Sequence, residues 1–369
     1  MVNDEITIIV PIYKINEEFL KKCIESLLKQ NAKQTKIILI DDGSPDNCGF
    51  ICDEYAKKNS NIIVVHQKNK GVSESRNIGI KMTKTKWLTF VDPDDWVENY
   101  NYDKALNILK EIDSDIEVLM FPYNMVYENK IINREFSKNN HMLNNEEIKE
   151  CQKALFYKLF QYGKCNTYSI AALWNKIYKT SFIKDNKIYF ISKAKKGQDR
   201  LFNALVFSNA KMIYYNNEMK YYYRCYNDSI TNKYNEQILN LTMFEIEELL
   251  RINNKYNLNF LNFINARLCT RLFSCMRLYF FHRNNKKSWA EKKKEFTNVL
   301  EKYKFDEIID NIDWSLFNKN EKIFLYCVKH KLYFACLIFI KIYNIINWIW
   351  DWWCSCEKNF ISDERFKGW

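Results

Sequence analysis

The chain has 369 residues, 47% hydrophobic and 16% aromatic, with seven glycines and four prolines. This excludes a disordered, collagen-like or low-complexity chain and fits one large domain plus a smaller one. Lys and Arg (56) outnumber Asp and Glu (45), a net charge of +11 suited to phosphorylated substrates or an anionic membrane face; without a nucleic-acid motif, no nucleic-acid partner is expected.

Met1 to Glu5 are polar and acidic, and the apolar run after them is strand-length, unlike a signal peptide. No stretch reaches the ~18 uninterrupted apolar residues of a spanning helix, so a cytoplasmic protein is expected. The twelve cysteines lack paired spacing and read as reduced, mostly buried thiols. Cys48/Cys52 and Cys354/Cys356 lack the His or second Cys pair that would complete a zinc set. His66, His141, His282 and His330 are isolated and read as surface or packed side chains.

Ile6–Val10 is an apolar run stopped by Pro11, a buried strand. Asn16 caps a helix with Glu17 and Glu18 in its first turn, and Phe19, Leu20, Cys23, Ile24, Leu27 and Leu28 follow a helical period. The second strand, Ile37–Ile40, ends at Asp41-Asp42-Gly43-Ser44; a helix to about Tyr55 and a strand Ile62–Val65 follow. Gly71 opens a helix carrying Ser75, Arg76 and Asn77. Trp87–Val91 is the fourth strand and ends at Asp92-Pro93-Asp94-Asp95. Such alternation predicts an α/β fold, a doubly wound, mostly parallel sheet with ligands at the carboxyl ends of its strands.

After Ser137 the pattern loosens. Glu146–Phe160 reads as a helix, Trp174–Tyr178 as a short strand or turn, and Met212–Tyr215 and Lys220–Arg224 as strands. From Asn235 on the signal is helical, clearest over Leu239–Ile252 and Leu261–Phe281. The expected division is a catalytic domain over 1–230 and a helical C-terminal region over 231–369.

The two acidic turns are ambiguous taken singly. Asp92-Pro93-Asp94 offers hard oxygen ligands for Mn²⁺ or Mg²⁺ with a diphosphate, but Asp95 could equally begin a helix. Asp41-Asp42-Gly43 is ordinary turn chemistry, or a carboxylate placed to accept from a nucleobase imide and ribose hydroxyls.

Four linked motifs decide between these readings. Ile9-Val10-Pro11-Ile12-Tyr13, Asp41-Asp42-Gly43-Ser44 with Asp46, Asn69 to Gly79, and Phe90 to Trp96 together resemble glycosyltransferase family 2, in order and spacing. Weaker likenesses run through Leu173–Tyr178, Gly197–Phe202, Tyr222–Arg224 and Ser229–Thr231, so the resemblance covers about residues 6 to 231. It implies the GT-A fold and inverting transfer from a nucleotide sugar, with UDP as the expected nucleotide, to a glycan or lipid-linked acceptor in surface polysaccharide synthesis. By the same resemblance Pro11, Tyr13, Asp41 and Asp42 hold the nucleoside, with Arg76 and Lys70 near the ribose or diphosphate. Asp92 contacts ribose or metal, Asp94 is the main ligand of Mn²⁺ or Mg²⁺, and Asp199 is the general base. Trp174, Asn175, Lys176 and Gln198 fall on the acceptor side. The chain departs from the family at Gln198, where a Glu is usual. Otherwise Asp199 is merely the start of a helix Leu201–Phe207.

The segment Ile323–Trp353 joins apolar runs to Lys329, Lys331 and Lys341, followed by Trp348, Trp350, Trp352 and Trp353. Rings and lysines of this kind suit an anionic bilayer, so a peripheral position on the inner membrane face is expected, with packing or oligomerisation as the other use of the segment. Two rival functions stay open: a catalytically silent nucleotide-sugar-binding or membrane scaffold protein, and a glycoside hydrolase with two carboxylates flanking a cleft.

Overall fold

The computed structural model describes residues 5–112, 115–157, 160–162, 166–225 and 234–342. The chain divides into two compact units, one of Met1–Asp228 with Phe244–Phe263, the other of Ser229–Met243 with Ile264–Trp369.

The first unit opens with the expected alternation: β1 Ile6–Ile12, α1 Glu17–Leu28, β2 Thr35–Asp41, α2 Cys48–Lys58, β3 Ile62–His66, α3 Val72–Met82 and β4 Trp87–Phe90. Every residue of β1 is buried, as a central parallel strand covered on both faces requires. Asn16 caps α1 by accepting from the Glu18 and Phe19 N–H groups, and Leu20, Cys23, Ile24 and Leu27 form its buried face.

There follow β5 Trp96–Val97, α4 Asn101–Glu111, β6 Val118–Met120, β7 Tyr123–Val126, β8 Ile131–Arg134, β9 His141–Met142 and α5 Asn145–Phe156. The unit continues with β10 Phe160–Tyr162, β11 Asn166–Tyr168, β12 Lys176–Lys179, α6 Thr180–Asp185, α7 Gln198–Asn209, β13 Ile213–Tyr215 and β14 Tyr221–Arg224. The main sheet has eight strands in the order β3-β2-β1-β4-β12-β6-β13-β9. Its first four are parallel; β12 enters antiparallel to both β4 and β6. A second sheet, β5-β14-β7-β8, stands past the end of β4. The expected α/β fold is present, with an antiparallel strand where Trp174–Tyr178 read as strand or turn.

Helices α8 Ile238–Tyr256, α9 Leu261–Cys275, α10 Trp289–Lys302, α11 Phe305–Asn311 and α12 Lys319–Lys329 make up the rest, with a last helix over residues 333–342. Two sequence boundaries shift. The helix expected to reach Phe160 ends at Phe156, and the one expected to reach Phe281 leaves α-geometry at Cys275 for a π turn over Met276–Phe280. The described cysteines are free thiols, all buried except half-buried Cys225. No described helix is long and apolar enough to cross a membrane. Ser229–Thr231, the Cys354/Cys356 pair and the four tryptophans from Trp348 to Trp353 lie outside the described residues.

Candidate active site

Strand β1 lies between β2 and β4, all parallel, so their chains emerge on one edge of the sheet. Pro11 pairs with Ile40 and Ile12 with Asp41, while Ile9 pairs with Phe90. The register brings Pro11, Asp42 and Asp92 to one edge although they are distant in sequence.

The two carboxylates of the first turn diverge because successive side chains of a strand point to opposite faces. Asp42 turns toward the next loop, where Oδ1 accepts from the Lys70 N–H (2.8 Å) and Gln67 Nε2 (2.6 Å), and Oδ2 from the Gly71 N–H (2.7 Å). Gly43 makes this approach possible: its φ is +69°, and a Cβ there would meet Asn69 N and Gln67 O at 2.9 Å. Asp41 instead accepts from the Ser44 N–H (2.9 Å) and faces His66 Nδ1 (2.9 Å). These bonds, led by the one from His66, hold its carboxyl below the usual range against the opposing effect of burial. Both Asp41 oxygens have partners within the fold, and of these two carboxylates it is Asp42 that lines the cavity described next.

A cavity of about 200 Å³ opens at this edge, lined by Pro11, Tyr13, Asp42, Val72, Ser75 and Asp92 among others. Tyr13 is 44% exposed at its mouth. The N-terminus of α3 contributes Val72, so a helix dipole with its positive end at the cavity favours an anionic ligand there. Lys70 is exposed and enters through its backbone N–H.

The second acidic turn is clamped from β14. Tyr221 donates its hydroxyl to Asp95 Oδ2 (2.8 Å) and accepts from the Asp92 N–H (3.1 Å). Arg224 donates its backbone N–H to Asp95 Oδ1 (2.7 Å) and Nε to the Asp94 carbonyl (2.9 Å). Asp95 is buried in these bonds and is followed by β5, with α4 starting only at Asn101, so it is no helix cap. Burial pushes the Asp92 carboxyl up to about 6, with the Asp199 and Asp94 charges adding and Arg76 opposing; burial likewise raises Asp94. The Asp94 carboxyl is raised against the opposing charge of Arg224 and is in no ion pair among the described residues. No group of three or more His, Cys, Asp or Glu among the described residues converges on a metal position, so two carboxylates here fit Mn²⁺ or Mg²⁺ only with diphosphate oxygens completing the set.

Asp199 is the second residue of α7, which starts at Gly197, φ +72°, against the side chain of Glu245. It makes no cap bond; its Oδ1 accepts from Arg76 Nη1 at 2.6 Å, and Arg76 Nη2 reaches Asp92 Oδ1 at 2.9 Å. Arg76 is only 4% exposed and its guanidinium lies over the Phe190 ring, 5.3 Å from the centroid. Two of its nitrogens thus join the carboxylates of Asp92 and Asp199. Its Nε has no hydrogen-bond partner.

Gln198 is half-buried next to Asp199. Trp174 is buried in an aromatic stack with Tyr221, centroids 4.5 Å apart. Asn175 and Lys176 have no exposed surface and bond within the fold. Lys176 Nζ donates to Ala172 O (2.6 Å) and Asn175 Oδ1 (2.8 Å), and burial lowers its ammonium to about 7, against the charges of Cys151 and Asp199. Asn203 of α7 donates to Ala171 O and Ala172 O, so the segment braces the helix that carries Asp199. Sequence reading missed the bonds of Tyr221 and the charge pairs of His66; their partners lie 129 and 25 residues away, beyond any local pattern.

Sheet order and the acidic turns at its edge define an α/β domain of the GT-A type. Its fold is shared by the solved structure of S. aureus TarS 1–349, with a TM-score of 0.61 at 21% identity over 92% of this chain and 91% of that one. The same TarS segment has been solved with UDP-GlcNAc. Residues 7–182 match the family model described as Glycosyl transferase family 2. Its relatives include glycosyltransferase GlyA of Streptococcus pneumoniae serotype 4, 27% identical over 257 residues, which are 68% of this chain and 35% of GlyA. Another is the glycosyltransferase EpsJ of Bacillus subtilis, 30% identical over 226 residues, 61% of this chain and 62% of EpsJ. The chain thus matches about a third of one relative's length and under two thirds of the other's.

Proposed function

We propose that the protein is an inverting glycosyltransferase that moves a sugar from a nucleotide sugar, with UDP as the nucleotide, onto a hydroxyl of a surface glycan or lipid-linked acceptor. One observation carries this reading. Asp42 and Asp92 line a single cavity with Pro11 and Tyr13, and one buried guanidinium links Asp92 to Asp199. The family-model match over residues 7–182 and the UDP-GlcNAc complex of TarS, a relative named as a poly(ribitol-phosphate) beta-N-acetylglucosaminyltransferase, support it. The inner membrane face is where a lipid-linked acceptor would be met.

In this reading Tyr13 and Pro11 flank the base, and Asp42, fixed by the Lys70 and Gly71 N–H groups, orients the nucleoside. Asp94 and Asp92 would hold Mn²⁺ or Mg²⁺ together with diphosphate oxygens, and the ion would supply Lewis-acid neutralisation of charge on the departing diphosphate. Asp199 takes the proton of the acceptor hydroxyl as that oxygen bonds to the anomeric carbon and the carbon–oxygen bond to the diphosphate breaks. Arg76 engages Oδ1 of Asp199; no described hydrogen bond occupies Oδ2, and the side chain is 34% exposed. A single carboxylate arriving from α7, separate from the nucleotide turns, suits attack on the face opposite the leaving group.

The test is UDP release from a panel of UDP-sugars with Mn²⁺, for wild type and Asp199→Asn. Turnover that disappears in the variant supports transfer. UDP binding without turnover on any donor would leave a silent nucleotide-sugar-binding protein, and metal-independent sugar cleavage with no UDP binding would point to a glycoside hydrolase.

A further inference from the structure

The second unit carries an apolar face that its own helices leave exposed. On helix 333–342, Phe334 (66% exposed), Ile338 (44%) and Ile342 (51%) recur every fourth residue, while Tyr333, Cys336 and Ile340 form the buried face. That spacing makes one continuous stripe along the helix. Trp289 of α10, 40% exposed, meets Phe334 edge-on at 6.4 Å, and so widens the stripe. Next to it in the chain, α12 exposes Ile323 and Tyr326, three residues apart.

Charge chooses the occupant. Lys331 and Lys341 bracket the stripe, both exposed and without an ion pair to any described residue. Lys286 is exposed three residues before Trp289, and the nearby acid Glu291 is engaged in the Ser288 cap. A second copy of the chain would set the same lysines against each other. An anionic bilayer offers both an apolar layer for the rings and branched side chains and negative headgroups for the cations.

We infer that Phe334, Ile338, Ile342 and Trp289, with Lys331 and Lys341, form a docking surface for an anionic lipid bilayer, helix 333–342 lying in the interface plane. This deepens the membrane-face location proposed above, but its test reads binding and not transfer, so the two can fail separately.

Full-length protein is sedimented with vesicles of phosphatidylcholine alone or mixed with phosphatidylglycerol. Binding is expected only with the anionic lipid, and it should weaken about tenfold or more in Phe334→Glu/Ile338→Glu. Each of Lys331→Gln and Lys341→Gln should weaken it about fivefold, the effect of one basic residue at an anionic surface. Circular dichroism and UDP affinity show that the variants remain folded. No binding by wild type, or equal binding by the Glu variant, overturns the inference. A wild-type dimer that becomes monomeric in the Glu variant without any vesicle binding also overturns it, in favour of a second copy. Absence of UDP binding in wild type would instead strike the transferase reading and leave the vesicle result standing.

Discussion

Arg76 and Asp199, 123 residues apart, meet through a 2.6 Å hydrogen bond whose donor also holds Asp92. The pair ties α3 to α7 and joins the two halves of the candidate site. Arg76→Ala leaves Asp92 and Asp199 without their shared cation; because their side chains are 25% and 34% exposed, the cost should be about 1–3 kcal/mol, below that of a fully buried pair. Arg76→Lys keeps the charge but lacks the planar fork, so it should recover stability better than turnover. Urea midpoints beside UDP-release rates check both.

Asp199→Asn keeps the size of the side chain and removes its basicity. Transfer should fall by about 10²–10⁴, the usual worth of a positioned base, with UDP affinity unchanged by calorimetry. A parallel loss of UDP affinity would place Asp199 in donor binding.

Asp94→Ala removes the carboxylate that no described cation pairs. For wild type, Mn²⁺ at 100 times its dissociation constant should stabilise the fold by about 2.7 kcal/mol; the variant should show little of this rise in thermal midpoint. The readout is melting with and without Mn²⁺, and it needs no turnover.

His66 faces carboxylates through both ring nitrogens, Asp41 at 2.9 Å and Asp53 at 3.0 Å, and a carboxylate can only accept. The geometry therefore calls for the imidazolium, and the hydrogen bond to Asp41, then that to Asp53, raises its pKa above the ordinary 6.5. A raised folded-state value means that the stabilisation is full below about pH 6.5 and is lost as pH rises through the higher folded value. His66 is half-exposed, so the effect is under about 1 kcal/mol. Urea midpoints of wild type minus His66→Gln should decline from acidic to alkaline pH; a flat difference would refute the pairing.

Gly79 of α3 packs directly on β1. A Cβ there would lie 2.4 Å from Ile9 Cγ2 and 2.9 Å from Cγ1, and Ile9 has no exposed surface to move into. Gly79→Ala should destabilise by about 1–3 kcal/mol, and Ile9→Ala in the same chain should cost less than it does alone. Chemical denaturation of the double-mutant cycle measures the coupling.

Much of the fold was legible from residues 6 to 96, because β1, β2 and β4 are buried and read as unbroken apolar runs, and even the more exposed edge strand β3 keeps an apolar run over Ile62–Val65. The Asn16 cap, the glycine at the head of α3 and the acidic turns are local chemistry, visible in a few adjacent residues. Later strands such as Val118–Met120 and Tyr123–Val126 are short and take their places by pairing with distant partners, which periodicity does not register.

The sequence by itself determined the alternating α/β framework, its two acidic turns and, through linked motifs, a resemblance that the family-model match over residues 7–182 bears out. Only the tertiary structure decided which carboxylate faces the cavity, that Arg76 joins two of them, and that Asn175 and Lys176 are internal braces. Side-chain direction and ion pairing between segments more than a hundred residues apart depend on strand register and burial, and neither is encoded in any short stretch of chain.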